Sequence, residues 1–106
     1  MQSVLPIDLS EPQIQDFCRR WQVSELALFG SVLRDDFSSN SDVDFLVSFS
    51  PEARHGLMAL AQMRQELQDL VGRDVDLVSK RALEHSHNWI RRKNILSTAE
   101  TIYVER

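Results

Sequence analysis

Two short runs in this sequence, Asp42-Val43-Asp44-Phe45-Leu46-Val47-Ser48-Phe49 and Asp74-Val75-Asp76-Leu77-Val78-Ser79, set aspartates into otherwise apolar stretches at alternate positions. Side chains along a strand point to opposite faces with a period of two, so each run predicts a strand. In the first run Val43, Phe45, Val47 and Phe49 fall on one face, and Asp42, Asp44, Leu46 and Ser48 on the other. In the second, Asp74 and Asp76 face away from Val75 and Leu77. Aspartate is a poor strand former, so two on one strand face need a reason. These runs predict a sheet with one core face and an opposite face that carries charge at its start.

The remaining chain supplies helices to cover that sheet. Ser10 followed three residues later by Gln13 forms a capping-box pattern, and Ile14, Phe17, Cys18 and Trp21 recur at helical spacing, which predicts a first helix from about Glu11 to Gln22. Glu25-Leu26-Ala27-Leu28-Phe29, closed by Gly30, predicts a buried strand. Residues Ser31 to Ser41 are polar and turn-rich and form a loop, with one helical turn near Val32 to Arg34. After Pro51, the stripe Leu57, Leu60, Ala61, Arg64, Leu67, Gln68 and Val71, stopped by Gly72, predicts a second helix. An irregular connection from Arg81 and a last helix from about Asn88 to Thr101 complete the order helix, strand, loop, strand, helix, strand, helix. That order fits an α/β or α+β domain with a mixed β-sheet and helices packed against it.

Size and charge narrow the function. With 106 residues, 42% hydrophobic and 26% charged, the chain suits one soluble domain, residues 1–106, with a modest core and little surface left to enclose a large substrate. Part of a substrate site then falls to a partner. Sixteen acidic against 12 basic residues give a formal charge of −4, which argues against a protein that grips nucleic acid directly. The single cysteine, Cys18, cannot form an internal disulfide and lies on an apolar helix face as a core residue. The first residues lack a signal-peptide pattern and no apolar stretch approaches membrane-spanning length, so a cytoplasmic location with no membrane association is expected.

Three features converge on one chemistry. Gly30-Ser31 ends a buried strand, where glycine permits close approach to the backbone and serine adds a hydroxyl and an N–H donor for an anion. Asp42 and Asp44 lie about 7 Å apart along one strand face by the usual rise per residue. Asp76 repeats the arrangement in a second strand. Magnesium takes oxygen ligands in octahedral geometry, and in-line displacement at phosphorus uses two ions roughly 3.5–4 Å apart. Carboxylates at i and i+2 on a rigid strand suit two such Mg2+ ions, with Asp76 the third carboxylate near the incoming nucleophile. Their mutual repulsion is tolerable when bound cations offset it.

Gly30-Ser31, ten intervening residues, then Asp42-Val43-Asp44 with Asp76 downstream resembles the polymerase-beta-like nucleotidyltransferase superfamily. Leu33-Arg34-Asp35-Asp36-Phe37 through Ser41-Asp42-Val43-Asp44-Phe45-Leu46-Val47 is similar to its minimal, antitoxin-type branch. The resemblance spans roughly residues 20 to 106 and implies the minimal nucleotidyltransferase fold. It further implies that Asp42 and Asp44 bind the metals, that Asp76 is a third metal-site carboxylate or activates the attacking hydroxyl, and that Gly30 and Ser31 hold the terminal phosphates of ATP. Minimal members of this branch act as antitoxins of HEPN-type ribonuclease toxins. The implied reaction transfers AMP from ATP to a toxin tyrosine.

Other residues have plainer expectations. Asp76 sits deeper in its apolar run than Asp74, which reads as a strand-entry or rim charge. Arg34 contacts the triphosphate, braces the loop through Asp35 or Asp36, or is an exposed loop arginine. Asp35 and Asp36 read as solvated turn residues, and His55, His85 and His87 as surface residues without metal spacing. Lys80-Arg81 and Arg91-Arg92-Lys93 read as exposed helix charge. Two competing functions remain open at this level: an antitoxin that acts by binding alone, through apolar residues such as Ile95, Leu96 and Ile102, and nucleotidyl transfer to a small molecule or RNA end.

Overall fold

The computed structural model describes residues 11–33 and 42–105. The cap expected of Ser10 and the loop placements expected of Arg34, Asp35 and Asp36 therefore lie outside the described residues. The chain runs α1 (Glu11–Arg20), β1 (Val23–Phe29), a 3-10 turn (Gly30–Leu33), β2 (Val43–Phe49), α2 (Leu57–Val71), β3 (Val75–Ser79), α3 (Lys80–Glu84), α4 (Trp89–Thr98) and β4 (Glu100–Val104). The sheet order is β3-β2-β1-β4. β2 and β3 are parallel, while β1 is antiparallel to both β2 and β4, so the sheet is mixed as expected.

The alternating pattern sorts the strand residues between two cores. Leu26, Leu28, Val43, Phe45, Val47 and Val75 face α1 and α2, where Ile14, Phe17, Cys18, Met63 and Leu67 close the main core. The opposite face is covered as well, which differs from a sheet clothed on one side. Ala27, Phe29 and Leu46 pack there with Leu83 of α3 and Ile95 of α4. Burial of Cys18 pushes its thiol up to about 12, leaving it protonated and inert as a core residue.

Three sequence expectations need correction. The last helix stops at Thr98, and residues 100–104 form an edge strand instead of a helical end. Ala99 adopts an extended conformation, and the β-branched and aromatic residues Thr101, Tyr103 and Val104 pair with β1, with Ile102 at a register shift between them. The connection after Ser79 is a short helix, started where the Ser79 hydroxyl accepts a hydrogen bond from the Ala82 amide at 3.1 Å. In α2 the inward residues are Met63 and Leu67, while Leu57, expected in the apolar stripe, is 84% exposed. Gly72 does end α2, in a left-handed conformation, with its N–H donating to the Gln68 carbonyl.

Helices α1 and α2 are tied at their solvent side by Glu66. It accepts hydrogen bonds from the Arg20 guanidinium and from Trp21 Nε1, the latter at 3.1 Å. His55, expected on the surface, is half-buried: its Nε2 lies 2.6 Å from the Trp21 carbonyl, and its ring meets those of Trp21 and Phe49 edge-on. The Arg20 hydrogen bond holds the Glu66 carboxyl below the ordinary glutamate range, aided by Trp21 and opposed by partial desolvation. A carboxyl lowered by folding adds stability above its unfolded pKa and loses it as pH falls through the folded value. Glu66→Gln is therefore expected to lower thermal stability modestly at neutral pH, because an exposed ion pair is screened by solvent. The gap from the wild type should close as the solution is acidified below the ordinary glutamate range. Thermal unfolding across a pH series measures this, and a gap independent of pH would show that the pair does not form.

Candidate functional site

The site is built where β1 ends and β2 begins. β1 delivers Phe29 into the second core, and the chain then turns at Gly30 with a φ of +76°. Val32, 2% exposed, anchors the 3-10 turn in the main core and so fixes the backbone of Gly30 and Ser31 at the strand end. The first amides of a helical turn have no partner within it.

Strand register assembles the carboxylates beside that turn. Phe29 pairs with Asp44 across the antiparallel ladder, and Asp44 pairs with Asp76 across the parallel one. Residues in register share a face, so Phe29, Asp44 and Asp76 form one row across three strands, with adjacent backbones about 4.8 Å apart. Asp42 lies just before β2, two residues from Asp44 and exposed, and Asp76 is exposed at the sheet edge. The Val43 amide donates to the Asp74 carbonyl at 2.9 Å, which locks the two Asp-Val-Asp segments together through their central backbone.

Gly30 and Asp44 meet most closely. A Cβ placed on Gly30 would lie 2.3 Å from Asp44 Oδ2, so the carboxylate occupies the space a side chain would need. The positive φ disfavours other residues independently. The turn and the carboxylate are thus joined at van der Waals distance. Among the described residues, no three histidine, cysteine or acidic side chains stand gathered around a single metal position. The oxygen-only donor set of Asp42, Asp44 and Asp76 nevertheless fits a hard cation such as magnesium, and register already sets Asp44 and Asp76 side by side.

Of the expected site residues, the structure brings Asp44 and Asp76 into one row, with Asp42 adjoining and Gly30 against Asp44, and carries the Ser31 backbone in the turn. Arg34 is outside the described residues. The larger concavities lie toward the opposite end of the strands: one of about 540 Å3 lined by residues including Phe49, Arg54, His55, Ser79 and Arg81, and one of about 460 Å3 lined by residues including Cys18, Val23, Tyr103 and Glu105. Neither includes a carboxylate of the row. Sequence reasoning passed over two contributors, Arg64 and Gln68, whose side chains hydrogen-bond to the backbone of Val75. Their polarity within an apolar helical stripe was the available signal.

The nucleotidyltransferase domain family matches residues 11–102, and the chain belongs to it. It is similar to protein adenylyltransferase MntA of Thermococcus cleftensis, with 38% identity over 65 residues, which cover 61% of this chain and 64% of that protein. Its fold is also that of a chain in a crystal structure of a toxin–antitoxin with AMP-PNP, at 23% identity and a TM-score of 0.70, covering 92% of this chain and 76% of that one. A chain in the complex of a tri-AMPylated Shewanella oneidensis HEPN toxin with an MNT antitoxin matches at 22% identity and a TM-score of 0.61, covering 90% of this chain and 70% of that one.

Gly30 and Gly72 provide a matched comparison. Both have positive φ, but nothing lies within 4 Å of a Cβ built on Gly72, whereas Asp44 fills that space at Gly30. Alanine at either position should cost about 1–2 kcal/mol from the left-handed backbone alone. Gly30→Ala should cost more than Gly72→Ala, and it alone should weaken divalent-cation binding, because Asp44 must swing away. Urea unfolding and Mn2+ titration of the two variants measure this. Equal losses of stability with intact Mn2+ binding would show that the close approach does not matter.

Proposed function

We propose that this chain is a nucleotidyltransferase antitoxin that transfers AMP from Mg-ATP to a tyrosine of a cognate HEPN-type ribonuclease toxin and so neutralises it. The row Gly30, Asp44 and Asp76 carries the proposal, because it sets a backbone turn suited to phosphate against carboxylates suited to hard cations. The family assignment and the protein adenylyltransferase name of a relative support the reaction class. The toxin–antitoxin complexes that share the fold support a HEPN toxin as acceptor. The described residues contain no helix long and apolar enough to cross a membrane, in keeping with action in the cytoplasm, where ATP is available.

In this reading Gly30 and Ser31 hold the terminal phosphates against the turn, leaving the α-phosphorus over the carboxylate row. Asp44 on β2, Asp42 two residues before it, and Asp76, in register on β3, orient the donor for in-line attack. Two magnesium ions, when bound, supply the positive charge that neutralises these carboxylates and the triphosphate. The tyrosine oxygen forms a bond to the α-phosphorus as the bond to pyrophosphate breaks. In the same reading Asp76, exposed on the edge strand, is the third metal-site carboxylate or the acceptor of the phenolic proton.

A binding-only antitoxin is the second reading, favoured by Trp89 and Ile90, which are 60% and 56% exposed on α4. The Asp42→Asn, Asp44→Asn double variant separates the two. Incubated with Mg-ATP and a HEPN-type toxin encoded beside it, the wild type should raise the toxin mass in AMP units. The double variant should lose this by two to three orders of magnitude or more, with circular dichroism showing the fold intact. Undiminished transfer by the variant would sink the proposal, and equal neutralisation without transfer would establish the binder.

A further inference from the structure

We propose that Arg64 and Gln68 of α2 are positioning residues for Asp76, acting as a two-point clamp on the backbone of β3. β3 is an edge strand, paired with β2 on one side. In a parallel ladder alternate residues of a strand bond to the neighbour, and those between turn their N–H and C=O outward. The Val43 amide bonds to Asp74, so the outward-facing residue is Val75, between the two aspartates. Both of its outward groups are taken by α2. Arg64 Nε donates to the Val75 carbonyl at 2.6 Å, and Gln68 Oε1 accepts from the Val75 amide at 3.2 Å.

These two side chains, four residues apart, lie on one flank of α2, which is itself seated by the fully buried Met63 and Leu67. The Val75 side chain is 1% exposed in the same core. Val75 is thus held by its side chain, its amide and its carbonyl at once. Asp76 next to it is exposed, so no packing fixes its carboxylate, and its place beside Asp44 depends on the backbone that carries it. An unpaired edge frays locally, and a misplacement of about 1 Å at a reacting group costs on the order of 10²-fold in rate. The clamp suppresses that fraying at the one edge position where it would move Asp76. It also accounts for two polar residues within the apolar stripe of α2.

This inference rests on the assignment of Asp76 to the nucleotidyl-transfer site, so its test includes a readout that needs no activity. In Gln68→Met, which keeps the side-chain length but lacks the acceptor, the Val75 amide should exchange with solvent at least about tenfold faster by NMR. Mn2+ titrated alone should broaden the Asp76 resonance less, relative to Asp44, than in the wild type. In the AMP-transfer assay, Gln68→Met and Arg64→Met should each lower kcat about tenfold or more, with KM for ATP within about twofold of wild type. Gln68→Glu, which retains an acceptor, and Arg64→Lys, which retains a donor, should recover most of that loss. Melting temperatures within a few degrees of wild type exclude simple unfolding.

Unchanged Val75 exchange in Gln68→Met would overturn the clamp, as would equal loss of kcat in Gln68→Met and Gln68→Glu. Absence of AMP transfer by the wild type would instead overturn the nucleotidyltransferase antitoxin reading, and the clamp would then stand or fall on the exchange and Mn2+ measurements.

Discussion

The contact between the Asp44 carboxylate and the backbone of Gly30 ties the chemistry to the fold. The space taken by Asp44 Oδ2 is the space a Cβ on residue 30 would need, and the backbone there is left-handed. Both conditions must hold for a strand to end, turn and return beneath a carboxylate without a gap. The pairing of Phe29 with Asp44 sets the level at which this happens, and Val32, buried in the main core, prevents the turn from drifting. Folding the sheet and forming the row are therefore one event. The buried side chains of Val43, Phe45 and Val75, which alternate with Asp42, Asp44 and Asp76, hold those backbone positions from the core side.

The mixed sheet is what assembles the row. An antiparallel β1–β2 pair brings the end of one strand to the start of the next, which puts Gly30 beside Asp44. A parallel β2–β3 pair brings two strand starts together, which puts Asp76 beside Asp44. The parallel pair needs a long crossover, and α2 provides it while covering Phe45 and Val47. The same helix returns along the edge it creates and closes the Val75 backbone groups with Arg64 and Gln68. Edge strands with unpaired backbone are liabilities in folding as well as in catalysis, so one pair of side chains addresses both.

What the sequence made legible follows from the range of each signal. The row was readable because strand alternation is local: Asp42, Asp44 and Asp76 announce their face by their offset from Val43, Phe45 and Val75. The first helix and the end of α2 at Gly72 were readable for the same reason. β4 was not, because Ile95, Ala99 and Ile102 also match helical spacing, and only the break at Ala99 and pairing to β1 separate the two patterns. The covered second face was hidden because Leu46 shares its strand face with Asp42 and Asp44, and nothing local says that Leu83 and Ile95 reach it. His55 looked solitary for a similar reason, since Trp21 and Phe49 come to it from other elements.

The shape of the site bears on how the reaction is controlled. The carboxylate row lies where β1 ends and β2 and β3 begin, while two concavities among the described residues are at the far ends of the strands, lined by other residues. On the proposed reading, a metal-nucleotide is held there by backbone amides at one end and carboxylates at the other. A hydroxyl acceptor has no comparable charge, and orienting it for in-line attack takes a surface that fixes its approach. On the proposed reading, that surface comes from the acceptor protein docking against the chain. Such an enzyme would be selective because a hydroxyl not delivered by a docked partner would seldom reach the α-phosphorus in line.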